Sequence, residues 1–225
     1  MKKSGIFALL ILIFVVAACN NVKEFVSKLE SKSNSNSAQN NNSTQNSVKP
    51  SGNPRDDIIK ASKKFSEQDA FQTVLDGKGK KDFHLEVEYI APDRYHLKYP
   101  NGSEFLIIGK DTYLKANGNW KKSPANLNEA IPKMKEAFTE DAMKSLKDVE
   151  YVGEESVDGK SAFLYRYKGK TEKDANAYNS KIWIGKDDGL PMKIEVEYPA
   201  GGDLKEMTTT YKYDKNVKIE APNMK

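Results

Sequence analysis

The side chains best suited to chemistry fall in a few places. His84 and His96, the chain's two histidines, stand near Glu86 and Glu88. Two imidazoles and two carboxylates could hold a divalent metal or relay a proton. Each of them, however, alternates with apolar residues: Phe83, Leu85, Val87 and Tyr89 in one run, Tyr95, Leu97 and Tyr99 in the next. That period of two puts the histidines and glutamates on a solvated sheet face, where charge pairing between strands accounts for them. Glu195 and Glu197 have the same explanation. Asp187-Asp188-Gly189 lacks the further ligands of a calcium loop and reads as a turn. The sequence contains no phosphate-binding glycine loop, nucleophile elbow or zinc-ligand spacing. The expectation is a protein that is not an enzyme, with no metal and no cofactor.

One reactive group remains, the only cysteine, Cys19. Ahead of it stand Lys2 and Lys3, then an uncharged run from Ile6 to Val16, then Val16-Ala17-Ala18. An export signal has an apolar stretch of about 7–15 residues, whereas a membrane-spanning helix needs roughly 20. The run therefore reads as a signal peptide. Val-Ala-Ala-Cys resembles the bacterial lipobox, which implies a diacylglyceryl group on the Cys19 sulfur and cleavage just before it. The expected organisation is residues 1–18 as lipoprotein signal peptide, 19–54 as lipidated cysteine and tether, and 55–225 as one folded domain. The expected location is the cell envelope, outside the cytoplasm, on either membrane.

Composition narrows the rest. The formal net charge of +4 falls to +2 once Lys2 and Lys3 leave, so no strong field is aimed at nucleic acid. With Cys19 acylated, no thiol is left for a disulfide or a cysteine-ligated metal. The domain of about 170 residues is long enough for a real core and must be held by burial alone. Residues 33–47 are almost wholly Ser, Asn, Gln and Thr. Such a stretch has nothing to bury and stays a flexible coil, giving the tether a reach on the order of 30–35 Å.

After Pro54 the pattern turns structural. Asp56-Asp57 opens a helix with Ile58, Ile59, Ala61, Ser62 and Phe65 on one face, ending near Ser66. Strands then dominate. A turn centred on Pro92 pairs Tyr89 with Tyr95, Val87 with Leu97, Glu88 with His96 and Glu86 with Lys98, which suits both faces at once. Asn101-Gly102 and Asn117-Gly118 mark further hairpins. Phe163, Tyr165 and Tyr167 alternate with Leu164 and Arg166. A turn centred on Asp188 pairs Ile184 with Met192 and Ile182 with Ile194. Strands number about 9–11 in simple up-and-down order. Phe105 to Ile108 is apolar on both faces, so one side there should lie under a helix. From Leu127 to Leu146, apolar residues recur at helical spacing, interrupted at Pro132 and Thr139.

This order of elements is similar to the lipoprotein-carrier superfamily of LolA-, LolB-, LppX/LprG- and RseB-like proteins. The stretches that carry the resemblance are Pro92-Asp93-Arg94-Tyr95, Gly109-Lys110-Asp111-Thr112-Tyr113 and Trp183-Ile184-Gly185 through Gly189-Leu190-Pro191. It covers about residues 56–222 and rests on order and spacing. It implies an α+β fold, an open antiparallel half-barrel with an N-terminal helix and a mid-chain helical lid, binding acyl chains of lipids or lipoprotein cargo. The lid-locking arginine of LolA has no counterpart, since Arg55, Arg94 and Arg166 are the only arginines. On this reading Leu85, Val87, Leu97, Tyr165, Ile182, Ile194 and Val196 line a lipid cavity, beneath a lid carrying Ile131, Met134 and Phe138. The protein would be a monomer held to the membrane through Cys19, possessing no nucleic-acid partner. The alternatives are an envelope-stress sensor and a structural surface lipoprotein without cargo.

Overall fold

The computed structural model describes residues 49–127, 143, 145–170, 177–214 and 216–224. Cys19, the expected signal peptide, nearly all of the expected tether and the expected lid residues Ile131, Met134 and Phe138 lie outside them.

Helix α1 (Pro54–Ser66) starts where local chemistry says it should. Asn53 caps it through a hydrogen bond from Arg55 N, Pro54 occupies its first turn, and Asp56 and Asp57 meet the positive end of the helix dipole while Lys63 and Lys64 meet the negative end. Ile58, Ala61, Ser62 and Phe65 form its buried stripe. Lys64 Nζ then donates to the Asp188 carbonyl, 2.7 Å away.

The strands are β1 (Ala70–Gly79), β2 (Phe83–Ile90), β3 (Arg94–Lys98), β4 (Glu104–Ile108), β5 (Asp111–Ala116), β6 (Asn119–Ser123), β7 (Lys147–Val157), β8 (Lys160–Lys170), β9 (Ala177–Gly185), β10 (Pro191–Glu197) and β11 (Leu204–Lys212). They form one antiparallel sheet in the order β6-β5-β4-β3-β2-β1-β11-β10-β9-β8-β7. The sheet is open: β6 and β7 are its two edges and do not pair. This corrects the simple up-and-down expectation. Two meanders lie side by side, joined along β1 and β11, and the connection from β6 to β7 runs between opposite edges.

The hairpin of β2 and β3 has the register expected from its sequence, with Glu86 opposite Lys98, Val87 opposite Leu97, Glu88 opposite His96 and Tyr89 opposite Tyr95. The β9–β10 register is partly different. Ile182 faces Ile194, but Ile184 faces Pro191 and not Met192, because the pairing shifts between Pro191 and Lys193. That shift turns Met192 to the other side of the sheet, against Val157, Ala162, Leu164 and Trp183.

The inner face of the sheet is the one against which α1 packs. Its core falls into two adjoining clusters, one of Ile58 and Ala61 with Phe163, Tyr165, Ile182, Ile184, Ile194 and Val196. The other joins Phe65 to Phe71, Val87, Tyr89, Tyr95, Leu97 and Ile107. The outer face near β3–β5 carries Leu106 and Tyr113, which are covered by Val217 and Ile219 of the C-terminal segment. Arg94 fixes that segment by donating to the Ile219 carbonyl at 3.0 Å. Phe105 to Ile108 is thus covered on both faces, with Ile107 clustered with Phe65 of the helix and Leu106 under an extended strap. A helix was expected over one side; the strap over the other was not.

Candidate functional site

The seven residues expected to line a cavity all reach the inner face. Leu85, Leu75, Thr209, Ile194, Ile182, Tyr165 and Tyr151 form one continuous row across β2, β1, β11, β10, β9, β8 and β7. A second row sets Val87 between Thr73 and Leu97. A third runs through Phe83, Gly77, Met207, Val196, Ser180 and Tyr167. The clusters separate them: Val87 and Leu97 pack with Phe65, whereas Tyr165, Ile182, Ile194 and Val196 pack with Ile58 and Ala61. Tyr165 and Ile182 are each 1% exposed. These two are sealed as core, and Tyr165 is also tied to the helix by its hydroxyl, which donates to Asp57 Oδ2 at 2.9 Å.

Aromatic residues dominate this face to a degree the sequence reading missed. Of eleven tyrosines, only Tyr113 packs on the outer side. The others lie on the inner face in both clusters, with Tyr151 against Tyr165. Near α1 their hydroxyls are used: Tyr89 donates to the Pro92 carbonyl and Tyr213 to the Pro191 carbonyl, at 3.3 and 2.6 Å. Away from the helix the environment differs. Tyr167, Tyr178 and Tyr198 are only partly buried beside the first cluster, as are Leu85, Tyr99 and Phe105 beside the second. Burial raises the pKa of the Tyr167, Tyr178 and Tyr99 phenols, and that of Tyr198 to about 12, so all four stay protonated at physiological pH.

Two glycines shape this open half. At Gly77 a methyl group would occupy the space of the Phe83 ring, and at Gly169 that of the Tyr178 ring. Each aromatic ring lies across the bare backbone of its partner strand. A glycine opposite an aromatic residue is a sequence signal that could have located both rings once the register was known.

The outer face carries the charges. His96 lies between Glu88 and Glu104, with ring nitrogens 3.0 and 2.7 Å from their carboxylate oxygens. Lys98 pairs with Glu88 and Lys115 with Glu104. Lys115, with His96 as a second partner, holds the Glu104 carboxyl below its usual range. Lys193 and Lys181 pair with Glu195, Lys78 with Asp82, and Lys80 with Asp203. No group of ligating side chains suited to a metal occurs among the described residues.

His84 sits apart, 2.7 Å from Asp76 and 3.6 Å from Glu86. Its hydrogen bond to Asp76 raises its pKa above the ordinary 6.5. A raised folded-state pKa means that protonation stabilises the fold: the contribution is complete below the unfolded value and disappears as pH rises through the folded one. Wild type should therefore exceed His84→Gln in stability at pH 5.5, and the gap should close by about pH 8. Urea midpoints of both proteins at the two pH values check this; the gap will be small, because the ring is partly solvated.

Solved structures of other proteins share this open antiparallel fold. The chain shares its fold with LppX of Mycobacterium tuberculosis, at 14% identity and a TM-score of 0.57 over 76% of this chain and 100% of that one. It is equally similar to LprF of Mycobacterium bovis, at 13% identity and a TM-score of 0.60 over 77% and 98%. No family model matches the sequence, and no curated protein does either. The LppX-like fold expected from the order of elements is thus present.

Proposed function

We propose that this chain is a membrane-anchored bacterial lipoprotein whose inner face holds acyl chains of lipids or of lipoproteins, in lipid or lipoprotein traffic across the cell envelope. The observation that carries this reading is the uneven cover of the inner face. Where α1 lies, Phe65 and Phe71 are fully enclosed. Beyond it, Leu75, Leu85, Tyr99, Phe105, Tyr167, Tyr178, Tyr198 and Met207 form a broad apolar area that is only partly buried. A concentrated apolar surface of this kind is a binding surface more often than an accident of folding.

The segment that joins the sheet edges supports the same reading. It leaves β6 with Leu127 in the cluster of Phe65, its amide donating to Thr112 Oγ1 at 3.1 Å. It returns to β7 with Met143 and Leu146 buried in the cluster of Ile58. Both ends lie on the inner face, and on this reading Ile131, Met134 and Phe138, which fall between them in the sequence, serve as a lid over cargo. Methionine suits such a role, because its flexible side chain repacks around unlike ligands.

The anchor is the diacylglyceryl group proposed on Cys19, whose two chains give stable attachment where one would not. Lipid extraction and intact-mass measurement on protein purified from its own host test both parts together. Co-purifying lipid and a Cys19 mass increase are expected, and Cys19→Ser should remove the mass increase and release the protein from membranes. Wild type that carries no lipid and no acyl group would overturn the proposal.

A further inference from the structure

The open half of the inner face contains polar groups that a simple hydrocarbon site would not need. Ser180 Oγ is buried, the residue being 3% exposed, yet it makes no hydrogen bond of ordinary geometry. Beside it stands the Tyr167 hydroxyl, and Tyr167 and Ser180 face each other across β8 and β9. The Tyr178 ring lies over Gly169, with its hydroxyl end nearest that backbone, and its centroid is 6.2 Å from that of Tyr198. Four hydroxyls thus meet in one patch, with Val196 and Met207 in the same row as Ser180. A buried hydroxyl without a good partner, as Ser180 Oγ is, costs free energy, and its burial is explained if a ligand supplies an acceptor.

The patch also states what that ligand looks like. Its side chains are neutral, and the phenols remain protonated because burial disfavours their anions. The nearby cations Lys168 and Lys181 belong to the outer face, where they pair with Asp148 and Glu195. A phosphate or carboxylate would meet no countercharge in this site among the described residues. A neutral group rich in acceptors fits, with apolar chains that can run along the partly buried Met207, Leu75 and Leu85. We infer that the patch of Tyr167, Tyr178, Tyr198 and Ser180 binds the ester carbonyls of an acylated glycerol, which rests on the lipid-binding reading above and deepens it. The phenols and the serine donate to the two carbonyl oxygens, and this fixes the depth at which the lipid sits.

Binding of a pyrene-labelled diacylglycerol and of its diether analogue to the purified full chain tests the inference. The diether has equal chains and no carbonyl. Wild type should bind the diester about tenfold more tightly. The triple variant Tyr167→Phe, Tyr178→Phe, Tyr198→Phe should lose that preference and bind the two probes with equal affinity. Should the triple variant fail to fold, Tyr178→Phe and Ser180→Ala alone should each reduce the preference severalfold. Equal affinity of wild type for both probes, or a preference unchanged in the variants, overturns the inference but leaves lipid binding standing. Binding of neither probe overturns both. A membrane lipid and an acylated protein N-terminus share the diester, so competition by dipalmitoylglycerol and by a dipalmitoylglyceryl-cysteine peptide separates the sources: the stronger competitor names the cargo, and displacement by neither overturns the inference.

Discussion

Phe65→Ala is expected to lower the unfolding free energy by about 3–5 kcal/mol, the largest stability loss of any single truncation in α1. The ring is fully enclosed. It lies 5.0 Å from Phe71, 5.2 Å from Tyr211 and 6.4 Å from Tyr213, centroid to centroid, so rings from β1, from β11 and from just beyond β11 meet on it. Its neighbours are held by the sheet and cannot collapse into the space that truncation leaves, and that is the condition under which such losses are greatest. Urea unfolding followed by tyrosine fluorescence measures it. Val152→Ala, at a residue 44% exposed on the β7 edge, is the control and should change little. A loss below about 1 kcal/mol for Phe65→Ala would mean that the helix does not seal the inner face.

The second large effect is on binding. Val196→Trp should abolish binding of a fluorescent fatty acid while the protein stays folded. Val196 is 8% exposed and stands between Met207 and Ser180, beside the open half of the inner face. An indole there fills space in front of the sheet. Its cost to the fold is about 1–3 kcal/mol of overpacking, tolerable for a domain of this size. Its cost to binding is far larger. An acyl chain of about fifteen methylenes gains roughly 12 kcal/mol of gross transfer free energy, all of which depends on the chain finding room. Fluorescence titration and a thermal melt of the same sample separate the two. A folded variant that binds as wild type does would place the acyl chain elsewhere.

How much of this was legible beforehand depends on how local the information was. The β2–β3 hairpin could be paired residue by residue because the turn at Pro92 makes both faces agree, apolar with apolar and His96 and Lys98 with glutamates. The boundaries of α1 could be read from Asp56 and Phe65 for the same reason. The pairing of β1 with β11 could not: Val74 opposite Thr210 and Leu75 opposite Thr209 are unremarkable partners, and no turn connects them. The β9–β10 register failed at a shift that sequence alternation does not announce. The strap was missed because only Val217 and Ile219 carry it, too few apolar residues to make a period. For the candidate site, the inward position of Leu85, Val87, Leu97, Tyr165, Ile182, Ile194 and Val196 followed from alternation alone. What alternation does not encode is which hydroxyls are satisfied, because that depends on partners across strands and on where the helix ends.

The seam between β1 and β11 has a consequence in time. Gln72 pairs with Lys212 and Leu75 with Thr209, so the middle of the sheet joins stretches of chain from opposite ends of the domain. All the other strand pairs are between sequence neighbours. Contacts so distant in sequence form slowly, because the intervening chain must be closed into a loop before they give anything back. A growing polypeptide can assemble its outer hairpins early, yet it has no complete sheet until its final strand has been made. On the export route proposed above, that delay keeps the chain loose enough to be threaded through a channel.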